Sequence, residues 1–275
     1  YTGEDTLSLH DALPIFALLS AGCPHGAPPR PAAEPTVAEV VDRLGQARGG
    51  LRSFTGAAVM EYWLGDERFK GDVLVMGEVG ARVRIAALSP AGGAPLAEMA
   101  CDGSQFVSID YQHNCALTGP CTQQSIASFF GLELTPDDFL HLALGTPPVL
   151  DQPGGEVTWD AGRGVHRAAL TGAAGSQTIS LAPQGARWDV VDSELRGADG
   201  VAVWTVQNAA FADAKDPEGH DHRVPTKSRF TTPRRQKADL TVEWTDRTVN
   251  VSIDAKKFTI SPPAGLPTCG APPAR

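Results

Sequence analysis

Five cysteines and one histidine-rich stretch are the groups in this 275-residue chain whose side chains could do specific chemistry. Cys101, Cys115, Cys121 and Cys269 form an even set, and four cysteines in an exported domain suggest two disulfides with three possible pairings. Gly119-Pro120 reads as a turn that brings Cys115 and Cys121 together, which would leave Cys101 for Cys269; free, buried thiols are the alternative. A zinc site is a poorer reading, because neither a CxxC nor a nearby histidine pair accompanies these cysteines. Glu218-Gly-His-Asp-His222 gathers two of the seven histidines. It falls in a polar stretch, 212–227, that reads as a solvated loop, with a weak surface metal site as the sharper option; no metal is assigned. Asp137-Asp138 could be paired acid–base carboxylates, but they follow Thr135-Pro136 and suit the positive end of a helix. Arg234, Arg235 and Lys237, and Lys256-Lys257, read as solvated basic spots. No nucleophile elbow, phosphate loop, HExxH or GxGxxG is present. No catalytic residue and no cofactor is assigned, and the chain is read as a non-enzyme.

Cys23 carries the other chemistry. Phe16-Ala-Leu-Leu-Ser-Ala-Gly-Cys23 is a short apolar stretch, three small residues and a thiol, which resembles the end of a lipoprotein signal peptide cut just before a diacylglyceryl-modified cysteine. Five prolines fall among residues 24–35, so Cys23 begins an extended tether rather than continuing a helix. Pro24 is not the aspartate that retains such proteins at an inner membrane, so the reading is a lipid anchor on the periplasmic side of the outer membrane. Upstream, Thr6 to Ile15 back-translate to the priming sequence of a short-read sequencing adapter. Residues 1–15 are therefore read as an assembly scar, 16–22 as the remnant of a signal peptide and 23–35 as lipidated cysteine and tether.

The elements that must hold these groups follow from periodicity. Thr36-Val-Ala-Glu39 is a capping box, and Val37, Val40, Val41 and Leu44 recur at helical spacing until Gly49-Gly50. From Ser53 the pattern becomes short β-type runs, 54–64, 68–76, 82–88, 96–101 and 105–111, with Asp102-Gly103 as a hairpin turn. Helical pieces at 122–130 and 139–144, the latter capped by Thr135 and stopped by Gly145, interrupt the meander. Strands resume at 157–161, 165–171, 177–181, 187–195, 201–211, 238–245, 249–253 and 258–260. With no βαβ alternation this is one α+β domain over 36–263, followed by a proline-rich tail, 264–275. The net charge is -9, and -6 from Cys23 onward because Glu4, Asp5 and Asp11 are the only charged residues before it; that argues against a nucleic-acid partner. No run of about 18 apolar residues exists to span a bilayer.

The domain resembles the LolA/LolB-like group of lipoprotein carriers and acceptors. The resemblance rests on Phe54-Thr-Gly56, Gly71, Arg82-Val-Arg-Ile85, Asp102-Gly-Ser-Gln-Phe106, Phe129-Phe-Gly-Leu-Glu-Leu-Thr-Pro-Asp-Asp138, Leu144-Gly-Thr-Pro147, Val249-Asn-Val251 and Phe258-Thr-Ile-Ser-Pro-Pro263. It implies an open, strongly curved antiparallel half-barrel of about eleven strands capped by short helices, with an apolar cavity for acyl chains or a lipidated partner. By strand parity Met60, Tyr62, Phe69, Val73, Val75, Val83, Ile85 and Phe106 are the candidate lining. A filled core serving a structural or interaction role is the rival.

Given a complete signal peptide, the native protein should incorporate radioactive palmitate in a bacterial host, and Cys23→Ala should abolish the label. Undiminished labelling of Cys23→Ala would remove the anchor.

Overall fold

The computed structural model describes residues 30, 33–64, 67–89, 93–130, 134–233 and 238–270. Cys23, the scar and signal remnant, most of the tether, the basic spot at 234–237 and residues 271–275 lie outside the described residues.

Two antiparallel meanders share one sheet. The first runs β1 (Ser53–Leu64), β2 (Glu67–Glu78), β3 (Arg82–Leu88), β4 (Pro95–Asp102), β5 (Gln105–Asp110) and β6 (Cys115–Pro120). The second runs β7 (Gly154–Asp160), β8 (Val165–Gly172), β9 (Gly175–Gln184), β10 (Arg187–Gly197), β11 (Ala202–Lys215), β12 (Asp221–Thr232) and β13 (Ala238–Val249). They join where β1 pairs β13, so the order is β6-β5-β4-β3-β2-β1-β13-β12-β11-β10-β9-β8-β7 and the sheet stays open at β6 and β7. The open antiparallel architecture with helical caps is the expected one, with thirteen strands in place of about eleven. Two stretches that read as loop are largely strand: β6 occupies the supposed Gly119-Pro120 turn, and the end of β11 with the start of β12 occupies most of 212–227. Two expected runs are not strands, since β13 ends at Val249 and Ala255–Phe258 is a 3₁₀ turn that buries Phe258.

Three helices cover one face of the sheet. In α1 (Val37–Gly49) the Thr36 hydroxyl accepts from the Glu39 N–H at 3.2 Å, and Val40 and Leu44 pack on Ala168, Leu170, Ile179, Leu181 and Val190 of β8–β10. The larger apolar cluster lies over the other strands, beneath α2 (Gln123–Phe130) and α3 (Pro136–Ala143). α3 begins as its sequence demands: Thr135 accepts from the Asp138 N–H at 3.1 Å and Pro136 fills the first turn. It ends in a Schellman turn, with Gly145 at φ +80°, Gly145 N–H donating to Leu142 O at 3.0 Å and Thr146 N–H to His141 O at 2.9 Å. A Cβ at Gly145 would also stand 2.5 Å from Pro225, so this glycine is required twice over. On the sheet side, a Cβ at Gly77 would lie 2.8 Å from Leu140, so the missing side chain is what lets α3 approach β2.

The disulfides are Cys101–Cys121, with Cα atoms 5.6 Å apart, and Cys115–Cys269, with Cα atoms 4.9 Å apart. This corrects the pairing expected from spacing. Cys115 opens β6 and Cys121 follows its end, and six extended residues separate their Cα atoms by roughly 20 Å, beyond the ~7 Å a disulfide can bridge. Cys121 instead turns back under the β4–β5 hairpin, its N–H donating to Ser104 O at 2.8 Å, beside Cys101. Cys269 fastens the stretch after Pro263 along the edge strand: Ala116 N–H donates to Pro267 O at 2.9 Å and Cys269 N–H to Ala116 O at 3.1 Å. That segment covers part of an otherwise unpaired strand edge.

Non-reducing peptide mapping of exported protein should recover peptides joined through Cys101–Cys121 and Cys115–Cys269, and a Cys115–Cys121 peptide would refute this connectivity. Cys269→Ser should cost about 2–5 kcal/mol of stability, read from denaturant melts, because its bond closes a loop spanning 154 residues.

Candidate ligand site

Alternation puts Met60 of β1, Val73 and Val75 of β2, Ile85 of β3, Phe230 of β12 and Leu240, Val242 and Trp244 of β13 on one face, beneath Phe139 and Ala143 of α3. The register makes them neighbours: Met60 is opposite Val242, Val75 opposite Ile85, and Phe230 opposite Leu240. Between helix and sheet they enclose a wholly apolar void of about 20 Å³, the space of a single water molecule. With no polar group to hold that water, such a void stays dry.

Of the eight residues expected to line a cavity, Met60, Val73, Val75 and Ile85 face this void. Tyr62 and Phe69 stand opposite each other further along the same face, partly buried against the same cluster. Val83 and Phe106 are buried in that cluster but sit beside Cys101, toward β5 and away from the void. Sequence reasoning missed the whole second wall, Phe230, Leu240, Val242 and Trp244, and did not name Phe139 and Ala143 of the helical roof. The alternation of Leu240, Val242 and Trp244 is visible in the sequence, but nothing local says that β13 lies against β1.

Polar ties around the rim hold α3 down. Asp137 accepts from the N–H groups of Gly80 at 3.1 Å and Ala81 at 2.8 Å, clasping the β2–β3 turn, and Asp138 pairs with Arg48 of α1 at 2.8 Å. These two carboxylates, suited by sequence to a helix N-terminus, therefore also serve as tertiary fasteners. At the other end Arg247 donates to Ala143 O at 2.9 Å and to Pro225 O, and its guanidinium lies 4.9 Å over the Trp244 ring. Burial pushes Arg247 down to about 10, so it stays charged at neutral pH. Trp244 in turn meets Phe54 edge to face at 5.4 Å. One aromatic wall of the void is thus continuous with the last carbonyl of the helix above it.

A much larger hollow, about 600 Å³, lies on the opposite face of the sheet among Glu61, Lys70, Asn208, Lys227, Arg229, Asp239 and Glu243. Its charges are matched internally: Glu61 with Arg68 and Lys70, Glu243 with Lys227, and Asp239 with Arg229. A broad, open and charge-matched groove leaves little to select a ligand, and the apolar face is the stronger candidate.

His141 makes α3 acid-sensitive. Its side chain is buried, 3.3 Å from the Thr146 hydroxyl, and desolvation, aided by Arg48 and opposed by Asp137 and Asp138, lowers its pKa to about 4. Because the folded value lies below the unfolded value of about 6.5, the stability it contributes is complete above that pH and is lost as pH falls toward 4. The loss should reach about 3 kcal/mol, and His141→Gln should flatten the pH dependence of the melting temperature across this window. An identical profile for the variant would show that His141 is not the group that titrates.

No family model and no curated protein matches the sequence. Solved structures do match. A LolA superfamily protein of Nitrosomonas europaea aligns over 82% of this chain and 98% of its own, at 10% identity and a TM-score of 0.51. A DUF1329 family protein of Desulfovibrio piger aligns over 80% and 94%, at 12% identity and a TM-score of 0.53. An open antiparallel sheet with its apolar face roofed by short helices, and these two superpositions, show that the chain has a LolA/LolB-like fold.

Proposed function

We propose that this chain is an envelope lipoprotein, tethered through Cys23, that takes up an acyl chain or the lipid of a modified partner between the sheet and α3, without covalent chemistry. The observation that carries the reading is the wholly apolar void beneath an eight-residue helix fastened at its rim by polar contacts. As it stands the void is no larger than one water molecule, so uptake requires α3 to lift. The ties at Asp137, Asp138 and Arg247 cost about 1–3 kcal/mol each to break, while burial of an acyl chain returns about 0.8 kcal/mol per methylene. A chain of ten or more buried carbons, worth roughly 8 kcal/mol, is of the size needed to offset them. The likeness to a LolA superfamily protein supports the reading through the fold alone.

A second reading is favoured by the small size of the void: a filled half-barrel acting as a structural or interaction platform of the cell envelope. The two differ in one measurement. The carrier should show saturable uptake of a fluorescent fatty acid, with faster amide exchange in α3 and unchanged exchange in β1 and β13; absence of saturable uptake would leave the platform. Val75→Phe should weaken uptake and, because the void is so small, cost about 1–3 kcal/mol of stability. Leu74→Phe, next to it on the strand but about half exposed on the other face, should change neither.

A further inference from the structure

The stretch that reads as a solvated loop is the tip of a rigid hairpin. Ala214 pairs His222 and Lys215 pairs Asp221, leaving 216–220 to make the turn. Within it the Asp216 side chain is only 7% exposed, although it stands at a surface tip. The His220 N–H donates to Asp216 Oδ1 at 2.7 Å and fixes the carboxylate. Its other oxygen, Oδ2, then faces two imidazoles, 3.1 Å from His220 Nδ1 and 3.0 Å from His222 Nε2. The Glu218 carboxylate closes the group, with one ligand atom each from Asp216, Glu218 and His220 lying within 4.8 Å of one another. Asp221 is engaged elsewhere, by Lys215 at 2.8 Å.

We propose that Asp216, His220 and His222, with Glu218, bind one divalent transition-metal ion of the zinc, nickel or copper type. The donor set of two imidazoles and two carboxylates suits these ions, whereas magnesium and calcium favour oxygen-only shells. The spacing suits them as well. Around a tetrahedral ion with bonds of about 2.0–2.1 Å, neighbouring donors stand roughly 3.3 Å apart. The Asp216–His220 separation of 3.1 Å needs to open by only a few tenths of an ångström to admit the ion, whereas His222, 3.0 Å from Asp216 but outside the close group of Asp216, Glu218 and His220, must turn its ring toward it. Two carboxylates balance the charge of a dication, so its entry leaves no net charge on the tip. Because the ligands come from both sides of the hairpin, the ion would staple the ends of β11 and β12. His222 Nε2 also lies 3.4 Å from Asn250 Nδ2, a contact that ligation through Nε2 would replace, while that amide keeps its bond to Gly50 O at 2.9 Å. This inference is independent of what occupies the apolar face.

The test is titration of the full, metal-stripped chain with Zn²⁺ alone, followed by calorimetry and by the imidazole resonances of the seven histidines. One Zn²⁺ per chain should bind, the His220 and His222 rings should shift together and saturate at one equivalent, and the melting temperature should rise with zinc concentration. His220→Ala and Asp216→Asn should each lower the affinity at least about tenfold. The His220 side chain is 75% exposed, so His220→Ala should melt like the parent chain when no metal is present and should lose the zinc-dependent rise. Undiminished zinc affinity in a His220→Ala/His222→Ala chain, resonance shifts confined to other histidines such as His25 or His113, or no saturable binding at all would each overturn the assignment.

Discussion

β1 and β13 pair along eleven residues, from Phe54 opposite Val249 to Leu64 opposite Ala238, and every other feature of the apolar face depends on that ladder. It joins the first strand of one meander to the last strand of the other, so the middle of the sheet is formed by segments nearly two hundred residues apart in the chain. Closing so long a loop costs chain entropy before any contact is made, and the return comes from a central face buried throughout. Ala58, Met60, Leu240, Val242 and Val249 are all buried there, and Tyr62 packs against them. The ladder also carries an irregularity at Ala57–Ala58, where Asp246 and Trp244 are the successive partners and Thr245 is the extra residue. A bulge of this kind locally re-aims side chains. At this one, Trp244 faces the void while Arg247, three residues on, reaches the end of α3.

α3 is short for a helix that roofs a core. Eight residues do not form a stable helix on their own, so this one exists because of its caps and what it touches. Thr135, Pro136 and the Gly145 turn define its ends; Leu140, His141, Leu142 and Ala143 are all buried; Asp137, Asp138 and Arg247 fix its position. The polar contacts lie at the rim and the apolar ones at the centre. Lifting such a helix exchanges rim contacts for water, which can replace them, while the apolar loss can be made good only by another apolar body. In the proposed carrier, that asymmetry is what would let α3 act as a lid.

Much of this was legible in the sequence because its cause is local. Asp102-Gly103 marks a turn in which Asp102 Oδ1 accepts from Ser104 and Gln105 and Gly103 takes φ +103°, all set by four consecutive residues. Both ends of α3 are equally local, as is the parity that puts Met60, Val73, Val75 and Ile85 on one face. What escaped is non-local or disguised. β12 carries Asp221, His222, Arg223, Lys227 and Arg229 and includes Pro225, a composition that favours loop; it is a strand because β11 and β13 flank it, with Pro225 accommodated beside Ala210 at φ +52°. The Gly-Pro pair at 119–120 signals a turn, yet β5 holds it extended, and with that the expected Cys115–Cys121 loop is geometrically closed off. The second wall of the void required knowing which strand lies beside β1, information that no window of sequence contains.

These same non-local pairings decide how a small void should be read. A cavity the size of one water would, in a rigid barrel, be a packing defect. Here the two walls come from different meanders and meet only along β1 and β13, the sheet is open at both edges, and the third wall is a single short helix. The two sheet walls are held by continuous backbone hydrogen bonds and cannot part without breaking the central ladder. The helical wall is held by a handful of side chains. Any enlargement of the void must therefore occur by movement of α3, with the loop from Thr146 onward as its tether and the Cys101–Cys121 bond holding the chain before α2 against the sheet. In the proposed carrier, ligand access and the stability of α3 would be one quantity, and whatever weakens the contacts of Asp137, Asp138 and Arg247 would act on both.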